Sequence, residues 1–176
     1  MELELFRQKW TQMTSEIPAT TRSRHILALV VSLVAVAAVA AVGGLASAGA
    51  ASEYGRLEQP DWAPPPNVFG PVWTILYALM AIAAWLVWRA DPRFGNPAII
   101  AYATQLVLNL VWSPLFFGLG WRGVALVDIL LLDVVLAATL VLFWKANRTA
   151  AALLIPYFAW SLFATALNYS VWSLNS

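Results

Sequence analysis

The sequence predicts an all-α membrane protein, a bundle of five transmembrane helices, on three observations. Hydrophobic residues make up 61% of the 176 and charged residues only 11%, where a soluble domain carries about a quarter charged residues. Mean hydropathy is +0.73. The apolar residues also gather into five runs of about the 20 residues needed to cross a hydrocarbon core about 30 Å thick. The links between runs are short and carry Pro, Gly, Asn and charge, so five crossings nearly exhaust the chain and leave one compact domain.

Residues 1–25 form a polar extension of mixed charge. Within it Leu3, Phe6, Trp10 and Met13 fall at helical spacing, which suits a short interfacial helix; the alternative is a disordered or surface-lying tail. The first span, 26–51, has no charge and is too long for the apolar region of a signal peptide. Ala40, Gly44 and Ala48 recur at every fourth residue, with Gly43 and Ser47 in a second row beside them. Such rows let helix backbones approach closely, either inside the bundle or at a homodimer seam.

The longest loop, 52–67, contains Gln59-Pro60 and Pro64-Pro65-Pro66. The second span, 68–90, stops at Asp91-Pro92; the third, 97–119, runs into the glycine-rich turn from Gly118 to Gly123. The fourth, 122–145, is broken only by Asp128 and Asp133, and the fifth, 149–173, follows Ala146-Asn147. Basic residues favour the cytoplasmic side of short loops. With the N-terminus inside, Arg7, Lys9, Arg22, Arg24, Arg89, Arg93, Lys145 and Arg148 are inner, and only Arg56 and Arg122 are outer. This places the C-terminus and the 52–67 loop on the opposite face. The lack of an Arg-rich presequence favours a bacterial cell membrane.

Several function classes drop out. The chain has no Cys, which removes disulfides, thiolate metal sites and cysteine nucleophiles. The single His, His25, stands at a membrane edge, so no histidine-ligated haem or metal lies within the bundle. A net charge of +1 gives no nucleic-acid footprint.

Ten Trp are present, and the interfacial aromatic belt accounts for most of them. Trp73, Trp112 and Trp160 do not fit a belt, because each shares a helix face with other aromatic or polar residues. Trp73, Tyr77 and Ala84 mark one face of span two. On span three Gln105, Asn109, Trp112 and Phe116 follow at i, i+4, i+7 and i+11, and two amides in hydrocarbon must point inward. On span five Tyr157, Trp160, Ala164 and Asn168 form a similar stripe, just after Pro156, which is expected to bend the helix. The three stripes suit a cavity with aromatic walls and a few orienting amides, or ordinary packing in which buried amides bond across helices at about 0.6 to 2 kcal/mol each.

Asp133 lies well inside span four, where an ionised carboxylate costs about 2.5 to 3.5 kcal/mol, so it is a functional candidate or a bonded group at a helix contact. Asp128 and Asp133 are about 140° apart around the helix at 3.6 residues per turn, which excludes a paired-carboxylate site.

Specific strings carry a resemblance. The run Trp62-Ala63-Pro64-Pro65, leading to Pro71-Val72-Trp73 and Leu76-Tyr77, resembles the TspO/MBR family, also called translocator protein, tryptophan-rich sensory protein or peripheral benzodiazepine receptor. Further marks follow in order: Gln105-Leu106, Leu108-Asn109, Trp112, Phe116-Phe117-Gly118, Ala125-Leu126-Val127-Asp128, Pro156-Tyr157, Trp160, Phe163-Ala164 and Leu167-Asn168-Tyr169. The likeness covers about residues 52 to 175.

The resemblance implies a five-helix bundle, often a homodimer, that binds porphyrins such as protoporphyrin IX and in some members cholesterol or benzodiazepine-type ligands. It implies a pocket including Trp73, Asn109, Trp112, Trp160, Ala164 and Leu167, under a lid from Glu53 to Asn67 that carries Tyr54. It also implies, for some bacterial members, light-dependent porphyrin degradation involving tryptophans at the positions of Trp73 and Trp160. No cofactor is required; the porphyrin is the ligand, and membrane lipid is the other partner.

The chain departs from the family pattern at Glu53, where Trp is common, and at Asn67, where an aromatic is common, which reduces stacking on the lid side. No basic residue follows Tyr169, so the basic end of the sterol motif is missing. Asp133 and the N-terminal extension are further departures. The leading expectation is a binding, transport or sensing protein for tetrapyrroles, with Gln105, Asn109 and Asn168 meeting the ligand's polar edge. The alternatives are a light-driven degrader using Trp73 and Trp160, and a lipid- or sterol-binding structural dimer. No acid, base or nucleophile constellation supports dark catalysis.

Overall fold

The structure, a computed structural model, describes residue 4 and residues 19–46 and 49–176; apart from residue 4, the expected interfacial helix at 3–13 lies outside the described residues. The described chain is helical, with no strand among the described residues. Five long helices are joined by short connections: α1 (Ala19–Ala46), the one-turn α2 (Ala50–Tyr54), α3 (Phe69–Ala90), α4 (Pro97–Ser113), α5 (Arg122–Ala146) and α6 (Arg148–Leu174). A 3-10 turn, Pro66–Val68, leads into α3, and a π-helical turn, Pro114–Gly118, extends α4.

Local chemistry sets each boundary. α1 starts ahead of the uncharged run and ends at Ala46; Gly49, at φ 91°, turns the chain into α2. That left-handed conformation strains a residue with a Cβ. α3 takes Pro71 within its first turn, where no intrahelical N–H is needed. It ends at Asp91, held extended at φ −149° as the residue before a proline prefers.

Asn96 caps α4 by accepting from the Ala98 amide at 2.9 Å, and Pro97 occupies the first helical position. Asn147 caps α6 in the same manner, accepting from Ala150 at 3.0 Å. Near the end of α4, Pro114 lacks an N–H to continue the i−4 ladder. The helix widens there, and Leu119 donates to the Pro114 carbonyl at 2.9 Å. Gly120, at φ 67°, completes the turn to α5. α6 runs continuously through Pro156, so that residue deletes a hydrogen bond without ending the helix.

The helices close in the order α1, α3, α6, α5, α4, with α1 meeting α4; consecutive α3 and α4 touch only lightly. Four helical segments, Pro66–Ala90, Pro97–Gly118, Arg122–Ala146 and Arg148–Leu174, are long and apolar enough to cross a membrane, and α1 contributes the apolar stretch Ile26–Val42. The outward faces carry large apolar side chains such as Val107, Val127, Leu131 and Val134, as lipid contact requires. The chain is an integral, all-α membrane protein.

Lipid tails are as apolar as a protein core, so packing and interhelical bonds, rather than escape from water, hold such a bundle together. The tightest packing lies around Met80, Ala83, Val87, Phe143, Leu154 and Tyr157. The buried alanines of α3, Ala81, Ala83 and Ala84, let its neighbours approach closely. Toward the lid, a smaller cluster joins Tyr54, Phe116, Ala125, Leu167 and Val171.

Asp133 is buried and bonded. Its Oδ1 accepts from the Ser161 hydroxyl at 2.6 Å and its Oδ2 from the Thr165 hydroxyl at 2.7 Å. One carboxylate thus ties α5 to two successive turns of α6, each of its oxygens accepting one hydroxyl from the same neighbouring face.

Candidate functional site

Beneath α2, a cavity of about 570 Å³ opens between α1, α3 and the end of α4, within the range of small-molecule pockets, roughly 300 to 1,000 Å³. α1 contributes Leu33, Val36, Ala37 and Ala40 to its wall. α3 contributes Phe69, Gly70, Trp73, Thr74, Tyr77 and Ala78; α4 and its π-helical extension contribute Trp112, Ser113 and Phe117. Ala50, Tyr54 and Pro66 complete the lid side.

Tyr54, Trp73, Tyr77 and Trp112 are the sequence-predicted residues that line this cavity. Trp73 lies against Tyr77, ring centroids 5.2 Å apart and 31° between planes, and its other neighbour is Tyr157 at 6.1 Å. Trp112 stacks on Phe116 at 5.2 Å and 24°. Tyr54 meets Phe69 edge to face at 5.5 Å. Burial pushes the Tyr54 hydroxyl above the ordinary tyrosine range, and that hydroxyl has no hydrogen-bond partner among the described residues.

Behind the wall, polar bonds fix the aromatic residues. Tyr77 donates to Asn109 Oδ1 at 2.9 Å. The Trp112 indole N–H donates to Asn168 Oδ1 at 3.0 Å, while Asn168 Nδ2 donates to the Arg122 carbonyl at 2.9 Å. Asn109 and Asn168 therefore orient rings that face the cavity without lining it. Phe116 and Tyr157 act as backing. Trp160 sits behind Phe69 at 6.0 Å and continues through Phe163, at 5.2 Å, to Trp62 of the lid loop.

Three predicted residues stand apart from the cavity. Ala164 packs with Ile129 and Leu132 between α5 and α6, and Leu167 packs with Phe116 and Val171. Gln105 is fully buried, and neither of its amide atoms has a hydrogen-bond partner among the described residues. The α1 wall, Phe69 and Phe117 escaped sequence reading. The row Gly70, Thr74 and Ala78, at i, i+4 and i+8, was a usable sign that α3 turns a small-residue face beside its aromatic one. Among the described residues no group of carboxylates and histidines could hold a metal.

The segment 50–67, which brings Ala50, Tyr54 and Pro66 to the cavity, is bonded to the bundle at several points. Glu53 pairs with Arg122 at the start of α5 at 3.0 Å. Glu58 and Asn175 exchange two bonds: the Glu58 amide donates to Asn175 Oδ1 at 3.0 Å, and Asn175 Nδ2 donates to the Glu58 carbonyl at 2.9 Å. The Gln59 side-chain amide donates to the Tyr54 carbonyl.

Comparison with known proteins then decides the relationship, because the TspO/MBR family model matches residues 30–173. The chain belongs to the TspO/MBR family. It is similar to the human translocator protein, 45% identical over 125 residues covering 69% of this chain and 74% of the relative. The tryptophan-rich protein TspO of Archaeoglobus fulgidus is 39% identical over 155 residues, covering 86% of this chain and 99% of the relative. The tryptophan-rich sensory protein of Cereibacter sphaeroides is 38% identical over 122 residues, covering 69% and 76%. Within this TspO/MBR chain the aromatic motifs Trp73, Tyr77 and Trp112 converge on one cavity, which Pro66 of the Pro-rich segment also lines.

Proposed function

We propose that the cavity binds a flat, apolar, conjugated ligand of the tetrapyrrole class, such as protoporphyrin IX, for transport or sensing in the membrane. The observation that carries this reading is the set of tilted aromatic faces of Trp73, Tyr77 and Trp112 on one cavity, two of them fixed by amides behind. Aromatic faces give a planar guest its contact area, and stacking contributes about 0.5 to 1.5 kcal/mol per pair beyond burial. The protein functions without a cofactor, and lipid surrounds it. In the orientation that fits the inner cluster Arg89, Arg93, Lys145 and Arg148, the lid faces the outer side of a bacterial cell membrane. In the same reading the protein works as a homodimer.

A second reading is light-driven degradation of the bound porphyrin. It is favoured by Trp73, which lines the cavity while contacting Tyr77 and Tyr157, an arrangement suited to passing an electron between rings. Titrating purified protein with protoporphyrin IX while following tryptophan quenching tests the first reading, and absence of saturable quenching sinks both. Illuminating wild type and the Trp73→Phe/Trp160→Phe variant tests the second. Equal bleaching with and without the two tryptophans leaves binding alone.

A further inference from the structure

Polar contacts of two kinds tie the segment 50–67, which brings Ala50, Tyr54 and Pro66 to the cavity, to the helix bundle. Glu58 and Asn175 hold the loop to the end of α6 through neutral bonds that include a backbone amide and carbonyl. α2 itself, only five residues long and entered through Gly49 at φ 91°, is tied to the bundle by a different kind of contact. Glu53 Oε1 accepts from Arg122 Nη2 at 3.0 Å, with the Arg122 side chain 16% exposed and that of Glu53 38% exposed. Partial burial strengthens such a pair relative to one in open water.

The next residue, Tyr54, lines the cavity. On the other side of the pair, the Arg122 carbonyl holds Asn168, which holds the Trp112 indole. The pair therefore joins the cover of the site to the strand of bonds that sets its wall.

We propose that the Glu53–Arg122 ion pair is the latch of the lid: while it is closed, α2 and Tyr54 stay over the cavity, and its opening sets the rate at which a guest enters and leaves. Glu53 and Arg122 are positioning residues, since neither lines the cavity. This inference rests on the ligand-binding reading for its consequence, but the latch itself can be observed without ligand. A partly exposed pair of this kind contributes about 0.2 to 1 kcal/mol, which corresponds to about a one-and-a-half- to fivefold change in the open population.

The test uses the full-length protein in lipid nanodiscs, with Glu53→Gln, Arg122→Gln and the reversal Glu53→Arg/Arg122→Glu. Two quantities are read: hydrogen exchange of the 50–57 amides in unliganded protein, and dissociation of protoporphyrin IX by stopped-flow recovery of tryptophan fluorescence. Both single variants are expected to exchange and release faster by about one-and-a-half- to fivefold, with the reversal returning toward wild type. Single variants indistinguishable from wild type in lid exchange overturn the latch. So does a reversal that stays as fast as the singles, because the two side chains then act separately. If wild type shows no saturable quenching while the single variants still loosen 50–57, the tetrapyrrole reading falls and the latch stands.

Discussion

Replacing Asn168 with Leu probes the bonding behind the cavity wall most directly. Asn168 is fully buried and holds two elements at once, accepting from Trp112 of α4 at 3.0 Å and donating to the Arg122 carbonyl of α5 at 2.9 Å. Leu keeps the branched shape and heavy-atom count of Asn with somewhat bulkier methyl groups, so the substitution removes two interhelical bonds without leaving a cavity. Bonds of this kind in membranes are worth about 0.6 kcal/mol on average and up to about 1.7, which gives a loss of roughly 1 to 3 kcal/mol. The indole N–H of Trp112 also loses its hydrogen bond to α6, and the ring gains freedom on the cavity wall. Unfolding in a dodecyl sulfate titration at fixed lipid content, followed by near-ultraviolet circular dichroism, measures the first effect. Protoporphyrin IX quenching measures the second, with weakened affinity expected. Asn168→Asp keeps the acceptor for Trp112 but loses the donor to Arg122, so it should hold the ring better than Leu does. A Leu variant that loses less than about 0.5 kcal/mol and binds the porphyrin normally would refute the reasoning.

Asp133→Ala removes the acceptor for Ser161 and Thr165, but both hydroxyls can turn to carbonyls of their own helix. A stability loss of about 1 to 2 kcal/mol is expected, measured by the same titration, with porphyrin affinity unchanged across pH 5 to 8 because Asp133 lies away from the cavity. Gly123 meets the Trp172 ring so closely that an added Cβ would sit 3.2 Å from Cε2. Gly123→Leu should therefore force α5 and α6 apart at the lid end and cost about 1 to 3 kcal/mol, read as a lower midpoint of unfolding.

Much of the architecture was legible because bilayer thickness and backbone satisfaction leave few solutions for a chain this apolar. Helix ends followed from local breakers such as Asp91-Pro92 and Ala146-Asn147, whereas the Asn96 cap came only from the structure. The inward side of α4 could be read from Gln105 and Asn109, since lipid excludes amides. The α1 wall was not legible: Leu33, Val36, Ala37 and Ala40 belong to a helix whose faces are all composed of similar aliphatic residues, so no periodicity marks the side that meets the cavity. The stripe on α6 was visible, but its depth was not. Tyr157, Trp160 and Asn168 share a face that stands behind the cavity, and only the packing of α3 and α4 in front of it reveals this. The Glu53–Arg122 pair was invisible for another reason, because it joins positions 69 residues apart with no local pattern. In sequence Glu53 registered only as a missing aromatic, whereas in the fold it is one half of an ion pair.

The order in which the helices close has a consequence for synthesis. α6 is the last helix made, yet it lies between α3 and α5, so every earlier intermediate has an open seam facing lipid. Both hydroxyls that satisfy Asp133 are on α6. Until that helix inserts, the carboxylate of α5 sits in the bilayer with neither hydroxyl beside it, at a cost of about 2.5 to 3.5 kcal/mol if ionised. Arrival of the final helix removes that penalty and closes the ring in one event. A ribosome-released chain lacking α6 should therefore be the form that membrane quality-control proteases recognise, while the complete chain escapes them.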